Sequence, residues 1–297
     1  MLSPQFGSVV NVQLTPQTVE AFERYVQATE ARIDKQRARP ETFLFIDAFP
    51  EPKREEVRAA LKRGDVFVEQ LHTQEPSGKD IEIPGGMIHD WVGDVFIPGL
   101  SVRQVLAFVE DYDHHQDVYP EVARSRLIGR DGNAFKVALR LRYTKIITIT
   151  LNTDHDVRYT ELDPTHWYAR SASTRIAEVK NTGSREESEK PVGHDGGFLW
   201  RINSYWAFIE RDGGVDVECE SVSLTRDIPT GLGWLIRPLV TSIPRESLEH
   251  TLEATRSAAS TRAGRGPKSG KVSNGVGRAS VSLENAFPSD ADTGRMV

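Results

Sequence analysis

The feature that most constrains this chain is a series of strand-like segments, joined by tight turns and followed by one long helix-like segment. Six runs of mostly alternating apolar and polar residues lie at 122–129, 134–143, 146–159, 166–179, 197–209 and 215–227. Two of the connections, Asp131-Gly132-Asn133 and Asp212-Gly213-Gly214, consist of residues that tolerate a positive φ, so they predict hairpins. Hairpins place neighbouring strands antiparallel, and the sequence therefore predicts an antiparallel sheet.

Further elements flank this series. Residues 90–97 predict another strand, and Ser101 is placed to cap a short helix. Pro244 begins the last predicted helix, which carries Leu248 and Leu252 on one side. A sheet with one apolar face must bury that face, and the last helix is the only long element available for it. We therefore predict an α+β fold in which a curved antiparallel sheet of about six to seven strands wraps the C-terminal helix.

The chain divides into three predicted parts. Residues 1–86 form a mainly helical N-terminal extension, with a helix at 15–37, that packs on the main domain. Residues 87–260 form the main domain, and residues 261–297, which lack any hydrophobic period, form a disordered tail with a small basic surplus.

Composition excludes several classes of protein. The 297 residues include 37 Lys+Arg, 43 Asp+Glu and a single cysteine, Cys219, so neither an internal disulfide nor a cysteine-rich metal site can form. The sequence shows no apolar run of about 20 residues, no signal peptide and no phosphate-binding glycine motif. We expect a cytoplasmic protein as the sequence is written, or an exported one if the start codon is misassigned, and we predict no cofactor, no metal and no specific nucleic acid.

Two histidine-containing stretches, residues 114–119 and 154–156, are candidates for metal binding or catalysis. Adjacent histidines in an extended turn point apart, which favours a solvated loop for the first stretch. On the predicted strand His155 faces away from both neighbouring aspartates, so we expect a surface residue rather than a triad. Cys219 has no base on its own face and is predicted to be a structural thiol. We name no catalytic residue.

Charged residues on neighbouring strands form a second pattern, which comprises Arg140, Arg142, Arg201, Glu218 and Glu220. Alternation places them on the outer face of the sheet, where they would form a ladder of weak ion pairs. The reversed register would bury them and indicate catalysis or an anionic ligand group. Both interpretations stay open at this point.

The order of these elements resembles the START-like, or helix-grip, superfamily, which includes polyketide cyclase-like, lipid-transfer and coenzyme Q-binding START-type proteins. The likeness covers about residues 87–259 and is carried by Asp90-Trp91-Val92-Gly93, Val109-Glu110-Asp111-Tyr112, Tyr119-Pro120-Glu121-Val122 and Trp206-Ala207-Phe208. The resemblance implies that the sheet and the terminal helix enclose an apolar cavity. Members mostly bind or carry hydrophobic molecules, and a minority perform chemistry in the cavity.

Strand alternation then selects the side chains that face this cavity. The predicted ligand-binding residues, taken from the inward set and from the C-terminal segment, are Phe135, Val137, Leu139, Leu141, Tyr143, Ile149, Trp200, Ile202, Ser204, Trp206, Cys219, Ser221, Trp234, Leu248 and Leu252. We place the gate of the cavity in the loops at 97–100 and 229–233.

The leading functional hypothesis is non-catalytic binding of a hydrophobic small molecule, such as a lipid, an isoprenoid quinone or a polyketide-like compound. The main alternatives are a cyclase or dehydratase acting in the same cavity and a protein- or ribosome-interaction module. The chain could also make transient contact with a membrane surface, and its oligomeric state is left open. A solid core without space for a ligand is the competing structural interpretation.

Overall fold

The computed structural model describes residues 12–145, 147–227 and 233–264, except the side chains of residues 40, 233–241 and 262–264. The predicted gate at 229–232 and most of the predicted tail, from residue 265 onward, lie outside this range. Within it, no helix combines the length and the apolar character needed to cross a membrane.

The described part of the chain contains four α-helices and eleven strands. The helices are α1 (Pro16–Arg37), α2 (Lys53–Arg63), α3 (Val102–Val109) and α4 (Gly233–Gly264), with 3-10 turns at Pro40–Thr42, Phe45–Ala48 and Tyr112–Asp117. The strands are β1 (Val12–Gln13), β2 (Phe67–Gln70), β3 (Gly86–Pro98), β4 (Val122–Asp131), β5 (Ala134–Thr144), β6 (Thr148–Asp163), β7 (His166–Lys180), β8 (Ser188–Glu189), β9 (His194–Asp195), β10 (Arg201–Arg211) and β11 (Gly214–Arg226).

One antiparallel sheet organises the fold. Eight strands follow the order β2-β3-β11-β10-β7-β6-β5-β4, with β8 paired to β7 as the ninth, while β1 and β9 form a separate ribbon. This curved sheet and the long C-terminal helix confirm the predicted α+β helix-grip class. The strand number exceeds the predicted six to seven because β2, from the N-terminal segment, pairs with β3, and β8, from the 181–196 loop, pairs with β7.

The two predicted hairpin turns form, and a threonine side chain caps the first helix. The β10–β11 hairpin turns through Asp212 at φ 56° and Gly213 at φ 78°, and the β4–β5 turn contains Gly132 at φ 55°. The side chain of Thr15 caps α1 by accepting the N–H of Thr18 at 3.2 Å. The start of the last helix is a correction, because α4 begins at Gly233 and contains Pro244 in its interior. Proline has no N–H group to donate and often ends a helix, but α4 continues through Pro244.

The concave face of the sheet holds the largest part of the core. Side chains of β3, β10 and β11, such as Val95, Phe208 and Val217, pack with Val105 of α3 and Leu252 of α4. Gly93 lets the helix approach the sheet closely, since a Cβ there would lie 2.6 Å from a methyl group of Leu252 and 2.9 Å from the Phe67 carbonyl oxygen. Such contacts are shorter than van der Waals separations, so the packing of α4 requires glycine at this position.

The convex face is also covered, which corrects the expectation that a single face is buried. Phe22 and Tyr25 of α1 pack on Tyr205, Val222 and Leu224. A second cluster joins the 3-10 turn at Phe45–Ala48 and α2 to the same face through residues that include Phe43, Leu61 and Ala207. The N-terminal segment therefore forms a second layer over β3, β10 and β11.

This second layer buries the acidic residues of β11. Glu218 and Glu220 lie on the convex face, as alternation predicted, but their side chains are almost completely buried. Glu220 pairs with Arg32 of α1, and Glu218 accepts the backbone N–H of Phe45. The predicted ladder with Arg140, Arg142 and Arg201 is therefore wrong. Its acidic members are covered by the N-terminal segment, Arg140 pairs with Glu187 instead, and Arg201 donates to the Trp200 carbonyl oxygen.

Asp94 is the most deeply buried of the nearby carboxyls. It is fully buried beside Asp216 and Glu218, and neither of its carboxylate oxygens has a hydrogen-bond partner among the described residues. Burial, reinforced by the negative charge of Asp216, raises the pKa of Asp94 well above its ordinary range. The neutral form of Asp94 is thus favoured in the folded protein.

We predict that Gly93→Ala destabilises the protein by about 1–3 kcal/mol, because the new methyl group overlaps Leu252 and the Phe67 carbonyl. The measurement is urea unfolding followed by circular dichroism. Gly129→Ala is the matched control, since a Cβ at Gly129 meets nothing within 4 Å. Equal unfolding midpoints for the two variants would contradict the close approach of α4 to β3.

The buried carboxyl of Glu218 predicts a pH dependence of stability. Burial raises its pKa from an ordinary 4.5 to about 7, so between these values the folded state holds a proton that the unfolded chain releases. The stability from this group is complete below about pH 4.5 and is lost as pH rises through 7, on the order of 3 kcal/mol in total.

Glu218→Gln should flatten the fall in unfolding free energy between pH 5 and pH 8, because the amide does not titrate and can still accept the Phe45 N–H. The exposed substitution Glu186→Gln should leave the pH profile of the wild type unchanged. Thermal unfolding across this pH range measures both variants. Equal slopes for Glu218→Gln and the wild type would refute the assignment.

Candidate functional site

A cavity with two adjacent lobes lies between the concave face of the sheet and α4. The first lobe has a volume of about 140 Å³ and the second about 190 Å³. The residues that line both lobes are Tyr143, Ile202, Ser204, Trp206, Ser247 and Thr251. The interior of the fold is therefore not solid, and the sheet and helix leave space for a small molecule.

Strand β10 forms the wall that the two lobes share. Its alternate residues Ile202, Ser204 and Trp206 line both lobes, as strand alternation predicted. Trp206 stacks on Phe208 with ring centres 6.1 Å apart and the ring planes 7° from parallel. This stacking fixes a flat aromatic surface at the centre of the cavity.

The first lobe combines apolar side chains with hydroxyl groups from β11. Ser221, Ser223 and Thr225 follow Cys219 on the same face of that strand and line the lobe together. Burial raises the pKa of the Cys219 thiol well above its ordinary value, so the group is a protonated thiol at neutral pH. The lobe offers weakly polar contacts but no reactive thiolate.

Phenol groups characterise the second lobe. The hydroxyls of Tyr112 and Tyr159 lie 2.8 Å apart, and the hydroxyl of Tyr119 lies 3.2 Å from that of Thr255 on α4. The ring of His115 sits between Tyr112 and Tyr119, with centroid distances of 4.7 and 4.9 Å. Burial raises the pKa of both Tyr112 and Tyr159, which keeps the phenols neutral.

His155 also lines the second lobe, which corrects its prediction as a surface residue. Its ring is buried, and Nε2 lies 2.9 Å from the hydroxyl of Thr153. Asp154 and Asp156 do face the opposite side of β6, but the face that carries His155 is the cavity wall rather than solvent. Burial lowers the pKa of His155 to about 4, so the imidazole is neutral at physiological pH.

Some side chains of the 114–119 stretch are exposed to solvent, and others line the cavity. His114 is exposed and lies 2.6 Å from Asp111, whereas His115 and Tyr119 reach the second lobe. Across the described ranges, no group of three or more His, Cys, Asp or Glu residues has the spacing of a metal site. The sequence pattern missed His115 because it lies in a 3-10 turn rather than an extended loop, and it missed Tyr119, which follows two residues after this turn.

Eleven of the predicted ligand-binding residues line one or both lobes. They are Val137, Leu139, Leu141, Tyr143, Ile149, Ile202, Ser204, Trp206, Cys219, Ser221 and Leu248. Phe135 instead packs against Tyr112 and Tyr159 behind the second lobe, and Leu252 packs over Gly93 in the core. The side chain of Trp234 lies outside the described residues.

Trp200 is placed on the other side of the sheet. It packs with Phe22 of α1 and Val222, and its indole N–H donates to Asp195 at 3.0 Å. The regular part of β10 begins only at Arg201, after an irregular stretch that contains Gly197 at φ 68°. Alternation cannot be extended through such a backbone, so the parity of Ile202 and Trp206 does not apply to Trp200.

An external groove lies next to the cavity, between α4, the start of β4 and the end of β5. The groove has a volume of about 480 Å³ and shares Glu121, Tyr143 and Ser247 with the second lobe. Two contacts bridge it: a hydrogen bond between His250 Nδ1 and Glu121 at 2.7 Å, and an ion pair between Lys145 Nζ and Glu246 at 2.6 Å. The carboxylate of Glu121 raises the pKa of His250.

Of the two predicted gate segments, residues 97–100 are described, and the prediction for this segment is wrong. Ile97 and Leu100 are buried in the core with α3, and neither lines a lobe or the groove. The groove between Glu121 and His250 borders the second lobe, at the end of the sheet opposite to Ile97. Access to the cavity is consequently expected between the β4–β5 edge and α4.

No protein-family model matches the chain, and no curated protein matches it. Solved structures do resemble it. A STAR-related lipid transfer protein from Xanthomonas axonopodis is 16% identical, with a TM-score of 0.42, over 65% of this chain and 98% of its own. The Zhui aromatase/cyclase from Streptomyces is 15% identical, with a TM-score of 0.36, over 60% and 96% of the two chains. Human STARD10 is 7% identical, with a TM-score of 0.40, over 73% and 84%.

These values carry no information about what this chain binds. The helix-grip architecture follows from its own strand order, register and C-terminal helix. This architecture, a curved antiparallel sheet with a long C-terminal helix across its concave face, is the fold that the START-like resemblance implies.

Proposed function

We propose that this protein binds a compact, neutral hydrophobic molecule in the two-lobed cavity and does not transform it. The cavity itself supports this proposal, because a mostly apolar concavity with a few polar groups is the usual composition of a small-molecule site. Of the residues described along its walls, Glu121 at the mouth is the one acidic side chain, and no Lys or Arg lines either lobe. A charged ligand group would find no counter-charge deep in the cavity.

The volumes narrow the class of ligand. An apolar cavity of about 150 Å³ accommodates benzene, and the two lobes have volumes of about 140 and 190 Å³. Together they suit a fused-ring compound of the polyketide type or the ring of an isoprenoid quinone better than a lipid with two acyl chains. The flat face of Trp206, which borders both lobes, favours an aromatic ligand.

An enzyme acting in the same cavity is the second candidate, because His155, Tyr112 and Tyr159 of the second lobe are residue types that can transfer protons. General acid–base catalysis works best when the pKa of the group lies near the working pH. The pKa of His155 is about 4, and the pKa values of Tyr112 and Tyr159 are raised. These groups are weak acids and bases at neutral pH, which supports binding over proton transfer.

Binding is tested by fluorescence titration of the purified protein with naphthalene, which matches the size of one lobe. We expect saturable binding to the wild type. Ser204→Trp should weaken it by at least about tenfold, or 1.4 kcal/mol, because the indole fills the space that both lobes share. Thr174→Trp, at an exposed position on β7, is the matched control and should bind like the wild type.

Mass spectrometry of organic extracts from the purified protein gives an independent readout. A retained hydrophobic compound in the wild type that is absent from Ser204→Trp would support the proposal. Conversion of that compound to a new mass on incubation with fresh protein would favour the enzyme. A wild type that neither binds naphthalene nor retains any extractable compound would refute a ligand-binding cavity.

A further inference from the structure

Two phenol groups of the second lobe, those of Tyr112 and Tyr159, share one hydrogen bond. Their hydroxyl oxygens lie 2.8 Å apart, and either group can be the donor. Burial raises the pKa of both groups, so each keeps its proton at neutral pH. A phenol has a single proton and can also accept a hydrogen bond. The pair therefore holds two protons, and the hydrogen bond between its members uses one of them.

The second proton has no acceptor in the described part of the chain. If Tyr112 donates within the pair, the proton of Tyr159 is left over, and the reverse holds if Tyr159 donates. This count is the same for both directions of the bond. Neither hydroxyl forms another hydrogen bond with a described residue.

The surroundings of the pair leave the lobe as the place from which an acceptor can come. Phe135 packs against both rings, with centroid distances of 5.4 Å to each. Both tyrosines line the second lobe, together with apolar neighbours such as Val109 and Val157. A buried hydroxyl proton without an acceptor is unfavourable. A ligand oxygen that accepts this proton therefore stabilises the complex.

An uncharged carbonyl oxygen meets this requirement. It accepts hydrogen bonds and carries no proton of its own. A ligand hydroxyl can accept the same bond, but it adds another proton to a wall that already has one in excess. An anionic oxygen would lack a counter-charge, since no Lys or Arg among the described residues lines either lobe.

We propose that the Tyr112–Tyr159 pair donates one hydrogen bond to a carbonyl oxygen of the ligand, so that the cavity selects ring ketones and quinones over hydrocarbons of the same shape. This inference rests on the proposed function and names the chemical class of its ligand. The tyrosine that accepts within the pair is the one that donates to the ligand. Its own O–H becomes a better donor, because consecutive hydrogen bonds polarise one another.

The test uses 2-acetylnaphthalene and 2-isopropenylnaphthalene, which differ only in that a CH₂ group replaces the carbonyl oxygen. Equilibrium dialysis at pH 7 measures the ratio of their affinities. The double variant Tyr112→Phe/Tyr159→Phe keeps both rings and removes both hydroxyls. It should lower the ratio of ketone to hydrocarbon affinity by about tenfold relative to the wild type, which corresponds to one net hydrogen bond.

Tyr168→Phe is the matched control. It removes a phenol hydroxyl from the convex face of the sheet, where Tyr168 lies opposite Ala207 and beside Arg37. The affinity ratio of this variant should equal that of the wild type. Naphthalene, which has no acceptor, should bind the double variant at least as tightly as the wild type, because the wall becomes more apolar.

The single variants test the proton count. Tyr112→Phe leaves the hydroxyl of Tyr159 without its partner, and Tyr159→Phe does the same for Tyr112, so one donor remains in each. The affinity ratio should therefore fall much less than in the double variant, since only the mutual polarisation of the two hydroxyls is lost.

Carbon-13 NMR of 2-acetylnaphthalene labelled at the carbonyl carbon gives an independent readout. A hydrogen bond to the oxygen moves this resonance downfield. In the wild type the bound ketone should resonate downfield of its position in hexane, and in the double variant it should return toward that position. The wild-type spectrum needs no substitution, so the test does not depend on the folding of a variant.

The possible failures are distinguishable. An unchanged affinity ratio in the double variant, or a hexane-like carbonyl resonance in the wild type, would overturn the role of the pair and leave the proposed function standing. Loss of the whole preference in either single variant would overturn it as well, because the proton count would then be wrong. If the wild type bound neither compound and no naphthalene, the proposed function would be refuted, and this inference with it.

Discussion

The pairing of β3 with β11 is the interaction on which the rest of the structure depends. Their ladder runs without interruption from Gly86 opposite Arg226 to Pro98 opposite Gly214. This pair is covered on one face by α3 and α4 and on the other by the N-terminal segment. Because successive side chains point to opposite faces, a single strand such as β11 supplies the hydroxyls of the cavity and the carboxyls beneath α1.

The cavity exists because small side chains occupy the middle of the concave face. Ser171, Ser204 and Ser221 lie on three neighbouring strands, opposite one another in register, at the level where α4 passes over the sheet. Phe135 and Tyr159 pack ring against ring beside the second lobe, and Gly93 lets Leu252 of α4 lie close to β3. Packed interiors leave few voids larger than a water molecule, so an opening of this size between well-packed ends is consistent with a binding site.

Much of the site could be predicted from alternation alone, and its failures have identifiable causes. Where the strands are regular, as in β5 and β10, the predicted residues line the lobes. The prediction that Trp200 faces the cavity failed because the backbone before Arg201 is not part of a strand. His155 was missed although it shares the parity of Ile149, which the sequence predicts to face the cavity, because a histidine between two aspartates suggests a solvent-exposed position.

The sequence by itself determined the elements that depend on neighbouring residues. Hairpin turns, the Thr15 cap and the two faces of each regular strand follow from local φ, hydrogen-bonding and alternation rules. Only the tertiary structure decided that α1 covers the convex face, where Arg32 meets Glu220, 188 residues away. It also placed His155 on the wall of the second lobe rather than in solvent. These features depend on groups that are distant in the sequence, so no local pattern of residues encodes them.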